Sequence, residues 1–300
     1  LKRVTTLAAI TTAAVLALSA CGGEKQPGAA APAPAPTEQK SLLSAPLGDP
    51  IQLAALTRES TKKAKSSKVT MESVAGTEKQ TVTGQGVYDG ENTKFSMSMD
   101  SDGKKLDVVF VDSALYFKLD AADKAEMKTD KSYVKISADG QDPISQLLGK
   151  MMSKAIKDSD PSRTLEQVSK AGKITKSDQV ELNGEPTNHY VIEIEVEKAI
   201  ALVVGDIGIP LPADVLKQLD AKLKGKNVTI PTELWLNADQ LPLQVVSDQT
   251  AFVKAMGAPG DGVAKTTVKY TDWGSPVNIT APPADQVGDL AEMMKKAGGR

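Results

Sequence analysis

The sequence predicts an α+β fold: a curled antiparallel half-barrel sheet of about ten strands, with helices covering the concave face. Three observations predict it. Short segments with period-two apolar alternation follow one another between closely spaced turn residues, which is the signature of an antiparallel meander. Three stretches with helical spacing follow Asp-Pro pairs and fall before and between two series of such segments. No second Pro/Gly/Ser-rich linker and no internal repeat interrupts residues 49–297, so the strands are assigned to a single domain. A twisted sheet of that size curls, and its inner face needs a cover or a filling.

The N-terminal residues are predicted to be an address rather than part of the fold. Lys2 and Arg3 precede the apolar run of residues 4–18, the layout of a secretory signal over 1–20. Leu18-Ser19-Ala20-Cys21, followed by Gly22-Gly23, resembles the lipobox of bacterial lipoproteins. In that family the Cys becomes the first mature residue and carries a diacylglycerol anchor, with acyl chains such as palmitate, enough to hold a protein at the membrane. Cys21 is therefore the predicted lipid attachment site. Residues 21–48 read as this Cys plus a tether, because Ala29-Ala30-Ala31-Pro32-Ala33-Pro34-Ala35-Pro36 favours extended conformations and offers little area to bury.

Asp49-Pro50 predicts the cap and first residue of a helix running to about Ala64, with Ile51, Leu53, Ala54, Ala55 and Leu56 as its apolar set. Strands follow around Val69 and Met71, Val82, Phe95 to Met99, Leu106 to Phe110 and Leu115 to Leu119, and Tyr133 to Ile136 ends the series. Their turns are Ala75-Gly76, Asp89-Gly90, Ser101-Asp102-Gly103 and Asp112-Ser113. Asp142-Pro143 opens a second helix with Ile144, Leu147, Leu148, Met151, Met152 and Ile156 on one face, and a short helix over 162–171 follows. The strand pattern resumes with Ile174, Val180 to Leu182, an Asn183-Gly184 turn and the run Tyr190, Ile192, Ile194, Val196. Residues 199–218 are the most apolar stretch after the signal, broken by Gly205, Gly208, Pro210 and Pro212, and read either as a movable cover or as a buried broken helix. Strands near Val228, Leu234, Leu241 to Val246 and Val268 complete the sheet, and residues 285–296 are predicted to form a terminal helix with Leu290, Met293 and Met294.

Composition narrows the function. The chain is 40% hydrophobic and 25% charged, ordinary for a soluble domain. With 1 His and 1 Cys it has no set for a multi-residue His/Cys metal site or an internal disulfide, and a Ser-His-Asp triad would have to use His189. Aromatic residues at 4% and a net charge of −2 argue against nucleic acid as a partner. Gly84-Gln85-Gly86 lies in a strand pattern rather than at a helix start, Asp100-Ser101-Asp102-Gly103 lacks a downstream calcium-binding glutamate, and Glu193 and Glu195 alternate with apolar residues as a solvated face. His189, at a strand start, is expected to be exposed or hydrogen-bonded.

Several local patterns carry a family resemblance. They are the lipobox, the Leu182-Asn183-Gly184 turn leading to Thr187 and Tyr190-Val191-Ile192, the strand Glu233-Leu234-Trp235-Leu236 turning through Asn237-Ala238-Asp239-Gln240 to Leu241-Pro242, and Tyr270-Thr271-Asp272-Trp273-Gly274-Ser275-Pro276-Val277-Asn278-Ile279. With these the chain resembles the LppX/LprG-type lipoproteins of actinobacteria, similar in fold to the lipoprotein carrier LolA. The resemblance implies a half-barrel with a hydrophobic cavity between sheet and helices, and binding of acylated lipids or lipoglycans on their way to the cell surface. Residues expected to line such a cavity are Phe95, Met97, Val108, Phe110, Leu147, Leu148, Met151, Tyr190, Ile192, Ile194, Leu202, Val203, Leu234 and Leu236. The same apolar set would serve equally as a solid core.

The resulting expectation is a non-enzymatic, monomeric lipoprotein on the outer face of the cell membrane, using no cofactor or metal, with an acylated lipid or lipoglycan as its ligand. Two rivals remain: an interaction or sensor lipoprotein of the same fold with a closed core, and an envelope hydrolase working with carboxylates alone.

Overall fold

The computed structural model describes residues 43–89, 92–101, 104–137, 169–207, 213–257, 263–290 and 293. Helix α1 (Pro50–Ala64) starts where the Asp-Pro pair places it: the Asp49 carboxylate accepts from the Ile51 N–H at 2.8 Å, and Pro50 takes the first turn, where no N–H is needed. Lys65, in the left-handed region, ends the helix. There follow β1 (Ser66–Ala75), β2 (Glu78–Val87), β3 (Lys94–Ser101), β4 (Lys104–Val111), β5 (Ala114–Lys118), the short helix α2 (Ala121–Glu126) and β6 (Tyr133–Ser137). The second series is β7 (Gly172–Leu182), β8 (Glu185–Glu195), α3 (Val196–Ile207), α4 (Ala213–Leu223), β9 (Thr229–Leu236), β10 (Pro242–Asp248), α5 (Thr250–Ala255), β11 (Ala264–Thr271) and β12 (Val287–Asp289).

Among the described residues twelve strands make one sheet, in the order β12-β6-β5-β4-β3-β2-β1-β11-β10-β9-β8-β7. Two meanders are joined where β11 pairs with β1, Tyr270 opposite Val69 and Val268 opposite Met71. The turns explain the register. Asp112 and Ser113 both have positive φ, as do Asn183 and Gly184, so each two-residue connection has the backbone twist that closes a tight hairpin.

The strand count is twelve rather than the expected ten or so, and the sheet is mixed rather than wholly antiparallel. β12 accounts for the parallel pairing and for one of the added strands, since it runs alongside β6 in the segment predicted as the start of a terminal helix. Val287 packs with Val111, Ala114 and Tyr116, and the backbone of β12 satisfies the otherwise open edge of β6. Helical residues Leu290 and Met293 come only after it. Two short helices, α2 and α5, were not predicted. α2 is set by a reciprocal cap in which Asp120 accepts from the Asp123 N–H and Asp123 from the Asp120 N–H.

Of α1, Leu53 and Ala54 pack in one cluster with Tyr190, Ile192, Leu234 and Leu236 of the sheet. The helix predicted after Asp142 lies outside the described residues, and of the segment 162–171 only 169–171 are described, as helix. The apolar stretch 199–218 contributes to α3 and α4.

Candidate functional site

Residues opposite one another in paired strands share a face, so the registers assign the alternating side chains. Val69, Gly84, Met97, Val108, Phe117 and Val134 form one row across β1 to β6. In the other half Ile174, Ile192 and Thr232 share the face, as do Tyr190, Leu234, Val245 and Val268. Val69 opposite Tyr270 and Met71 opposite Val268 join the halves, which gives a single apolar face from β6 to β7.

That face is packed unevenly. At the β8–β9 end Tyr190, Ile192, Leu234 and Leu236 are fully buried under α1, with Leu47, Ile174, Ile194 and Val245 against them. Toward β6 a second cluster joins Phe95, Phe110, Leu115, Ile136 and Tyr88, with Val108, Phe117, Trp273 and Leu290 beside it. Between the clusters Val69, Met71, Met97, Met99 and Val268 are only half-buried, while Val82, opposite Met71 and Met99 on the same face, is buried.

Of the residues expected to line a cavity, Phe95 and Phe110 therefore sit in one cluster, Tyr190, Ile192, Leu234 and Leu236 in the other, and Met97 and Val108 face the strip between. Ile194 flanks the first cluster, while Leu202 is half-buried in α3. Val203 belongs to α3. Cys21, Leu147, Leu148 and Met151 lie outside the described residues.

Two polar features of this face escaped the sequence reading. The chain just before α1, expected to be tether, is bonded to the sheet. Ser44 O accepts from Gln179 Nε2 at 2.9 Å and Asn188 Nδ2 at 3.1 Å, Ser44 Oγ accepts from Gln240 Nε2 at 3.1 Å, and the Leu47 N–H donates to the Tyr190 hydroxyl at 3.1 Å. Asn188 and Tyr190 are wholly buried, so this strap satisfies groups that would otherwise be orphaned. Burial raises the Tyr190 phenol above its ordinary pKa, and the bond from Leu47 opposes the rise. The second feature is on α1, whose buried stripe keeps Leu53 and Ala54 of the predicted set and adds Thr57 and Thr61, while Ile51 and Leu56 point outward, 66% and 41% exposed. Both features were signalled by polar residues at inward-facing positions: Asn188 shares parity with Tyr190, Ile192 and Ile194, and Thr57 and Thr61 lie at helical spacing from Leu53.

The opposite face carries the one histidine. His189 Nδ1 lies 2.8 Å from Asp178 Oδ1 and Nε2 lies 3.0 Å from Glu233 Oε2, with the ring stacked on Trp235 at 4.6 Å. Both nitrogens are thus taken by carboxylates, which leaves neither for a nucleophile and ties β7, β8 and β9 together. Lys176, 2.7 Å away, and then His189 hold the Asp178 carboxyl below the usual carboxylate range. Farther along this face a shallow groove of about 430 Å³ is lined by Thr83, Gln85, Ser96, Ser98, Asp107 and Lys118 among others. Lys118 is 3.5 Å from Asp107, so its charge is met by a neighbour and the groove reads as the solvated side of the sheet.

No family model matches the chain. It is similar to a Streptomyces griseus protein described as an uncharacterized 31.2 kDa protein in the rplA-rplJ intergenic region, 24% identical over 151 residues, which are 50% of this chain and 45% of the other. The chain thus spans less than half the length of that relative. Among solved structures it is similar to LprF from Mycobacterium bovis, of the LppX/LprG type, at 14% identity and a TM-score of 0.40, covering 77% of this chain and 97% of that one. It is also similar to MucB, at 14% identity and a TM-score of 0.35, covering 80% of this chain and 63% of that one, and to the Pseudomonas aeruginosa MucA/MucB complex, at 12% identity, a TM-score of 0.32 and coverage of 78% and 60%.

Proposed function

We propose that the protein is an envelope lipoprotein that binds the acyl chains of a lipid or lipoglycan against the apolar face of its sheet and carries them within or across the envelope. The observation that supports this reading most directly is the strip of Val69, Met71, Met97, Met99 and Val268, half-buried between two clusters of fully packed side chains. Val82 in that strip is buried, but a solid core would bury its neighbours there as well as it buries the two ends. Methionine and valine present an adaptable, featureless wall, which suits alkyl chains of varied length. Each CH₂ moved there from water contributes roughly 0.8 kcal/mol, so a chain of ordinary length supplies enough for tight binding with no metal, nucleotide or covalent step.

The lipobox around Cys21 supports anchoring at the outer face of the cell membrane. Palmitate labelling of the chain, abolished by Cys21→Ser, tests that part alone. Native mass spectrometry of the full chain carrying Cys21→Ser, which takes no acyl group of its own, tests the binding. The expected result is a discrete adduct that releases acyl chains on solvent extraction. A bare protein that also ignores added phospholipid and lipoglycan overturns the reading and favours an interaction module with a closed core.

A further inference from the structure

The buried stripe of α1 changes character along its length. Leu53 and Ala54, in the first half, pack into the cluster formed with β8 and β9. Thr57 and Thr61, one and two turns farther on, are 0% and 1% exposed, and neither hydroxyl has a hydrogen-bond partner. A buried hydroxyl with nothing to bond costs stability, and threonine is a poorer helix former than the alanine that would fill such a site without that cost. Both positions therefore suit a group that arrives from elsewhere.

The fold indicates where that group would be. The first half of α1 is fixed above β8 and β9, and its end turns through Lys65 directly into β1. In the sheet, β10 and β11 lie between β9 and β1, and β11 carries Val268 of the half-buried strip. Thr57 and Thr61 thus lie along α1 between its end packed with β8 and β9 and its end that enters β1. As an i, i+4 pair they place two hydroxyl donors about 5–6 Å apart on one helix face.

We infer that Thr57 and Thr61 donate hydrogen bonds to the ester carbonyls of a bound diacyl lipid, so that the site selects esterified chains over plain hydrocarbon or ether-linked ones. This rests on the lipid-binding reading above and gives its ligand a chemical class. The chains occupy the Met/Val strip, and the linkage that joins them is read by the two hydroxyls.

The test compares dipalmitoylglycerol with its ether analogue dihexadecylglycerol, each offered in vesicles of ether-linked dihexadecyl phosphatidylcholine, which carries no ester carbonyl, to the full chain carrying Cys21→Ser, with uptake read by native mass spectrometry. The expected result is a preference for the ester of roughly tenfold, as the loss of one or two hydrogen bonds implies. Thr57→Val with Thr61→Val should abolish the preference, so that ester and ether are taken up alike. Thr57→Ser with Thr61→Ser, which retains both hydroxyls, should preserve it and covers the case in which the valine protein does not fold. Equal uptake of ester and ether by the parent, or a preference that survives in the valine variant, overturns the inference: the hydroxyls would then hold buried water, and lipid binding would stand without them. Uptake of neither compound overturns the lipid-binding reading together with the inference.

Discussion

The two ends of one sheet face differ in how completely they are packed. Over β8 and β9 the side chains of Tyr190, Ile192, Leu234 and Leu236 are fully buried, α1 lies on them, and the strap at Ser44 and Leu47 meets the polar groups. Over β1, β3 and β11 the same alternation delivers Met71, Met97 and Val268 to the same face, yet they remain half-buried. The same apolar alternation thus yields a closed core in one place and a half-buried wall in the other. The difference goes with the residues as well as with α1: Tyr, Ile and Leu pack with Leu53 and Ala54 at one end, and Met and Val form the strip.

The largest test of this contrast is Leu234→Ala against Met97→Ala. Leu234 leaves a cavity in a closed cluster and should cost about 2–5 kcal/mol in denaturant unfolding, whereas Met97, on the half-open strip, should cost about 1 kcal/mol or less. Equal costs would show that the strip is core like the rest.

Next comes the strap. Asn188→Leu leaves Ser44 O without one of its donors and should lower stability by about 1–3 kcal/mol, with faster proteolysis near residues 43–48. Tyr190→Phe removes the acceptor for the Leu47 N–H alone and should cost about 1 kcal/mol. It should also remove part of the alkaline instability. A phenol whose pKa is raised by folding ionises more readily in the unfolded chain, so its contribution is complete below the ordinary phenol value of about 10 and is lost as pH rises from there through the raised folded value.

The smallest effect is expected on the other face. Asp178 is held below the usual carboxylate range by Lys176 and His189, so its contribution is present above the ordinary Asp value of about 4 and fades as the pH falls through the lowered folded value. Asp178→Asn should therefore be measurably less stable than the parent at neutral pH, and the two should converge in acid. A gap that persists in acid would mean that Asp178 acts through packing rather than charge.

Much of the fold was legible in the chain. Asp49-Pro50 marked the start of α1, Asn183-Gly184 and Asp112-Ser113 marked tight hairpins, and the parity of Tyr190, Ile192 and Ile194 identified the inner face, because caps, turns and strand alternation are local consequences of covalent geometry. β12 was not legible, since its partner β6 is remote in sequence and a short segment holding a glycine has no period of its own. The strap and the buried threonines were visible only as polar residues of the wrong parity.

The sequence by itself determined which side chains share a face, since that follows from a repeat of two residues in strands and 3.6 in helices. Only the tertiary structure decided which part of the apolar face is sealed, which segment closes over Asn188 and Tyr190, and that His189 is held between Asp178 and Glu233. Those outcomes depend on contacts between residues far apart in the chain, whose energies local pattern does not encode.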